Sequence, residues 1–135
     1  VINRQNFDDG IYIDQTEQRT GNNLEVILKV YHGNDANSPF VGDCRFIVGL
    51  EDNIVGKLYM HPKYLGKGLG KKLMDFIEVY ARKKGKRKLK LFPTNYAYKF
   101  YRKFGYKKVK SFIWKTNQFK RRVYVMEKKL KNNHN

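Results

Sequence analysis

The chain has 135 residues, 41% of them hydrophobic and 15% aromatic, and carries 29 Lys and Arg against 12 Asp and Glu, a formal net charge of +17. That length suits one ordinary domain with its own core, so residues 1–135 are read as a single domain. No apolar run approaches the roughly 20 residues of a membrane span, and no basic segment followed by an apolar one stands at the start, so the expectation is a cytoplasmic protein. Val1 rather than Met opens the chain, which leaves a trimmed N-terminus open. The lone Cys44 excludes an internal disulfide and a multi-cysteine zinc site; within DCRFIVGL it reads as a small buried thiol rather than a nucleophile. The positive field would draw a nucleic acid, an anionic cofactor or an acidic protein alike, more weakly as salt rises. The run ARKKGKRKLK (81–90) straddles a helix end and a strand start, where cations complement the helix dipole without any partner.

In chain order, residues 1–23 are polar and set only by the turn signals FDDG and TGNN around a short extended IYID. LEVILKVYHG (24–33) is a strand, stopped by GNDANSP; CRFIVGLED (44–52) and NIVGKLYMH (53–61) are two more, joined at LEDN, which completes a three-strand meander. Leu69, Leu73, Phe76, Ile77 and Tyr80 then recur at helical spacing up to a stop near Gly85. KLKLF (88–92) alternates as a strand ended by Pro93, and TNYAYKFYRKFG (94–105) is a second helix, capped by Thr94 or Asn95 and stopped by Gly105. YKKVKSFIWK and RRVYVMEKKL form a closing hairpin around TNQF.

Between the third strand and the first helix lies KYLGKGLGKKL (63–73), with glycines at 66, 68 and 70. A Walker A loop needs Ser or Thr after its lysine, and Gly70 is followed by Lys71 and Lys72. The dinucleotide fingerprint needs a glycine at 71 and a βαβ start, and both are missing. What remains is a glycine corner opening a helix whose first N–H groups are unpaired, with Lys67, Lys71 and Lys72 adding charge, a place where a pyrophosphate fits.

LYMHPKYLGKGLGKKL (58–73), NYAYKFYRKFGYKKV (95–109) and the closing YVMEKKL together resemble the GNAT superfamily of acetyl-CoA-dependent N-acetyltransferases over about residues 54–130. The resemblance implies a mixed α+β fold: a mostly antiparallel central sheet with helices on both faces and a splayed strand pair, one strand bearing Leu58 and the other Leu91. Gly68 and Gly70 match the family glycines, while Leu65 stands where Arg or Gln is usual. Carried over, Gly66, Lys67, Gly68, Leu69, Gly70 and Lys71 would hold the coenzyme A pyrophosphate. Leu58, Tyr59 and Met60 would pair with the pantetheine arm, and Asn95 or Thr94 would be a further cofactor contact or an N-cap. Tyr101 would protonate the leaving thiolate, or belong to the helix stripe; the Met60 N–H would receive the oxyanion.

The resemblance also implies a carboxylate base on the fourth or fifth family strand, but Gly56, Lys57, Leu89 and Lys90 occupy those places. Glu51 and Asp52 at a turn, His61 after its strand, a water chain or Asp14 are the substitutes. The implied activity is transfer of acetyl from acetyl-CoA to a primary amine on a small molecule, a peptide or aminoacyl-tRNA, with a homodimer left open. The alternative is an inactive module of the same fold that binds nucleic acid or an acidic partner through its basic surface. Few residues precede the meander and no helix pair is seen there, so the acceptor site is either open or completed by residues upstream.

Overall fold

The computed structural model describes residues 4–49, 53–64, 66–93 and 95–131. Five strands come first: β1 (Gln5–Asp8), β2 (Ile11–Thr20), β3 (Asn23–Tyr31), β4 (Phe40–Val48) and β5 (Asn53–Met60). A 3-10 turn (Pro62–Tyr64) leads to α1 (Leu69–Lys83), β6 (Lys88–Leu91), α2 (Asn95–Lys103), β7 (Lys107–Lys115) and β8 (Lys120–Lys129). They build one sheet in the order β1-β2-β3-β4-β5-β6-β8-β7, in which β5–β6 is parallel and the other pairings antiparallel.

Strand alternation makes the core. In β3, Leu24, Val26, Leu28 and Val30 are buried while Glu25, Ile27 and Lys29 are not, and the register sets Val26 opposite Phe46 and Leu28 opposite Cys44. These side chains meet the α1 stripe of Leu69, Leu73, Met74, Ile77 and Ala81 in one cluster, which Leu89, Leu91, Tyr101, Tyr106 and Met126 join. A buried polar knot sits inside it. Glu78 of α1 accepts hydrogen bonds from the Tyr106 hydroxyl at 3.0 Å and from Lys128 Nζ at 3.0 and 3.1 Å, tying the helix to β8.

Two expectations are corrected here. The polar stretch at residues 15–20, which turn signals alone left unplaced, is strand: β2 runs on to Thr20, paired with β3 as far as Thr20↔Asn23 through a turn at Gly21. Its side chains are exposed and carry no burial pattern, so the backbone ladder alone holds it extended, and the meander has five strands rather than three. Both described helices also lie on one face of the sheet rather than one on each. On β8, Tyr124 meets Tyr98 of α2 and Lys128 meets Glu78 of α1, and residues an even step apart on a strand point the same way. The turn read at LEDN includes Leu50, Glu51 and Asp52, which lie outside the described residues.

Candidate active site

The seam between β5 and β6 is short. Pairing runs from Asn53↔Lys88 to Gly56↔Leu91, where β6 ends before Pro93; β5 continues through Met60 with β4 as its partner. The His61 N–H donates to the Val41 carbonyl at 2.7 Å, opposite it in the ladder. Alternation then turns the N–H and C=O groups of Leu58 and Met60 away from β4, toward the side that β6 has left. Among the described residues that edge is unpaired, and an extended ligand laid along it would find backbone donors and acceptors.

The edge leads into the glycine corner. Gly66 and Gly68 have φ of 76° and 78°, left-handed values that glycine adopts without penalty. Gly68 is the N-cap of α1 and gives no side-chain hydrogen bond to the helix, so among the described residues no side chain caps the first-turn N–H groups. A Cβ built on Gly66 or Gly68 would meet nothing within 4 Å, so the chain's own packing does not demand these glycines. Gly70 differs from the sequence reading: it already belongs to α1 and has no positive φ, so the corner itself uses two glycines. Leu69 is buried and anchors the helix start in the core rather than facing the corner.

The lysines are also less free than their spacing suggests. Lys71 Nζ bonds Asp75 at 3.0 Å and Lys72 Nζ bonds Asp8 at 2.7 Å, and the latter bond holds the Asp8 carboxyl below its usual range. Lys67 Nζ lies 5.8 Å from the Tyr64 ring centre. Leu65 lies outside the described residues. Asn95 is the first residue of α2, and Thr94 also lies outside them.

Tyr101 is 5% exposed, at the point of α2 that reaches across to β4. Burial, and then the nearby Cys44 thiol, push its hydroxyl well above the usual tyrosine range, so it keeps its proton at any working pH. Among the described residues it has no hydrogen-bond partner. Cys44 is fully buried, with its thiol pushed up to about 12 by burial first and Asp43 second, which bears out an inert thiol. Cys44 pairs with Leu58, which brings Tyr101 beneath the unpaired half of β5.

Of the substitutes for the base, Glu51 and Asp52 lie outside the described residues. His61 is exposed and its Nδ1 accepts the Lys63 N–H at 3.2 Å. Asp14 stands in a row with Lys29, Asp43 and Tyr59 across β2, β3, β4 and β5, three strand spacings or about 14 Å from β5. Sequence reasoning missed Asp43, which is directly opposite Tyr59 and, by alternation with buried Cys44, on the face away from the helices. Only the register could have found it. Among the described residues no cluster of His, Cys, Asp and Glu could hold a metal ion, and no helix is long and apolar enough to cross a membrane.

Comparison with known proteins adds the following. A family model described as an acetyltransferase (GNAT) domain matches residues 29–108. The chain is similar to the solved structure of a GCN5-related N-acetyltransferase from Rhodopseudomonas palustris, at 25% identity and a TM-score of 0.63, over 78% of this chain and 62% of that one. It is also similar to the PaiA N-acetyltransferase from Thermoplasma acidophilum in complex with coenzyme A, at 25% identity and a TM-score of 0.57, over 78% and 60% of the two chains. The IAA acetyltransferase from Bacillus cereus shares the fold, at 14% identity and a TM-score of 0.64 over 89% and 99%. The chain thus spans less than two thirds of the first two relatives. No curated protein sequence matches it.

Proposed function

Because the chain belongs to the GNAT acetyltransferase family, we propose that it is an acetyl-CoA-dependent N-acetyltransferase acting on a primary amine. The observation that carries this reading is the junction of an unpaired β5 edge with an uncapped helix start, at two left-handed glycines facing open space. Backbone N–H groups from Gly66, Lys67, Gly68, Leu69, Gly70 and Lys71 suit a pyrophosphate, drawn by the dipole of α1. The edge at Leu58, Tyr59 and Met60 suits the amide-bearing pantetheine arm, and Asn95 is a further coenzyme contact.

The neutral amine attacks the thioester carbonyl carbon. The new C–N bond forms as the carbonyl electrons move to oxygen, where the Met60 N–H receives them; the C–S bond then breaks and Tyr101 gives its proton to the departing thiolate. Asp43, on the face away from the helices and one strand from Tyr59, takes the ammonium proton through a water. This gives the two faces separate tasks, with coenzyme on the helix side and amine on the other.

The test is a mass-spectrometric screen of peptides, polyamines, aminoglycosides and aminoacyl-tRNA with isotopically labelled acetyl-CoA; no transfer to any amine would defeat the reading. Calorimetry on Gly68→Val checks the coenzyme site independently of the acceptor. A valine that relaxes out of the left-handed region costs about 1–2 kcal/mol to return to it on binding, and its side chain keeps the anion from close approach to the backbone N–H groups, so acetyl-CoA affinity should fall about tenfold or more. Undiminished affinity would move the pyrophosphate elsewhere.

A further inference from the structure

The net charge is not spread over the molecule. Seventeen Lys and Arg and no acid lie in residues 79–126, while the rest of the chain holds twelve of each. The sheet order gathers this segment at one end, as β6, β8 and β7 with α2 beside them. Its outermost part is the β7–β8 hairpin. Residues 107–122 contain seven cations, none of which forms an ion pair among the described residues. Lysines alone would be explained as guards of an exposed edge strand. Exposed rings are the opposite of guards, and the hairpin shows three: Phe112, Trp114 and Phe119, 44%, 47% and 45% exposed.

The register sets Phe112 opposite Val123 and Trp114 opposite Arg121, so Phe112, Trp114 and Arg121 share the face away from the helices. They line a groove of about 350 Å³ with Phe92, Pro93 and Val123. The Arg121 guanidinium lies 5.0 Å from the Trp114 ring centre and 5.6 Å from that of Phe119. Two ring platforms about 7 Å apart along one strand, flanked by unpaired cations, match what an unstacked polyanion with aromatic bases requires.

We propose that the β7–β8 hairpin binds single-stranded nucleic acid, its bases stacking on Phe112 and Trp114 while Arg121 and the neighbouring lysines hold the phosphates. This stands independently of the acetyl-transfer reading. A duplex keeps its base faces stacked and offers the rings nothing. A second copy would bring like charge against like charge, and tip-first entry into a lipid surface would begin with the polar Thr116, Asn117 and Gln118.

Trp114 is the only tryptophan, so its fluorescence reports on the site. Titrating the full chain with an oligouridylate of about 12 nucleotides should quench Trp114, with affinity falling steeply between about 50 and 200 mM salt. Anisotropy with a labelled oligonucleotide should show Phe112→Ala and Trp114→Ala each weakening binding roughly 5- to 150-fold, with circular dichroism unchanged because both side chains are exposed. Absence of quenching, unchanged affinity in both variants, or equal or tighter binding to a duplex, to heparin or to phosphatidylserine vesicles would each overturn the proposal.

Discussion

The two faces of the sheet are made by the same strands and differ in almost every physical respect. Toward the helices stand Val26, Leu28, Cys44, Phe46, Leu91 and Met126, all at most 2% exposed, together with the Glu78–Tyr106–Lys128 knot and Tyr101. On the other face stand Lys29, Asp43, Arg45, Ile47, Phe112, Trp114 and Arg121, charged or exposed, with Val123 and Val125 the buried exceptions on β8, and no described helix covers them. The difference teaches how one thin layer can present two environments. The dry face keeps Tyr101 protonated and anchors the start of α1 through buried Leu69, while the wet face leaves Arg45 and Ile47 in solvent. The gap where β6 stops is where the two sides communicate.

The sharpest break is chemical. Tyr101→Phe deletes one hydroxyl on the dry face and keeps the ring, so single-turnover acetyl transfer should slow by roughly 10²- to 10⁴-fold with acetyl-CoA affinity intact. Equal rates would return Tyr101 to a packing role. Next comes Lys128→Met, which leaves Glu78 buried with Tyr106 alone. Losing one partner of a buried pair costs about 3–5 kcal/mol, and Lys128 is partly exposed, so the lower end is expected, with the melting temperature down by about 10 °C. Adding Glu78→Leu to that variant should restore most of the loss, because the unpaired charge is then gone.

A pH series tests the same face. Cys44 is shifted from 9.0 to about 12, and burial raises Tyr101 and Tyr106 as well. The unfolded chain ionises each group at its ordinary pKa while the folded protein resists, so this contribution is whole below about pH 9 and is lost as pH rises toward 12. Each group removes about 1.4 kcal/mol per pH unit once its unfolded pKa is passed. Urea midpoints should therefore be level up to about pH 9 and fall beyond it; level midpoints to pH ~11 would mean that water reaches the helix side. The smallest effect is the control on the other face. Ile47→Ala, at a site 40% exposed, should change stability by no more than about 0.5 kcal/mol, against about 2–5 for Leu28→Ala across the pleat.

The sequence by itself determined what depends on neighbours along the chain. Periodicity placed α1 and α2, runs of β-branched and large apolar residues bounded by turn signals placed β3, β4 and β5, alternation placed β6, and turn chemistry placed Gly21, Gly85 and Gly105, all three at positive φ. The glycine corner was legible because a left-handed backbone at a helix start is a local requirement, written in residue type. Tertiary structure decided what depends on register and on which faces meet. The strand nature of residues 15–20 came from a ladder with β3 and not from their own side chains. Lys72 lost its free charge to Asp8, 64 positions away, and Glu78 became a buried carboxylate through Tyr106 and Lys128, 28 and 50 positions away. Asp43 became a neighbour of Tyr59, and Tyr101 of Cys44, because antiparallel pairing and helix docking set distant residues side by side. A side chain's partner across a sheet is fixed by the pairing of whole strands, and no window along the chain contains that information.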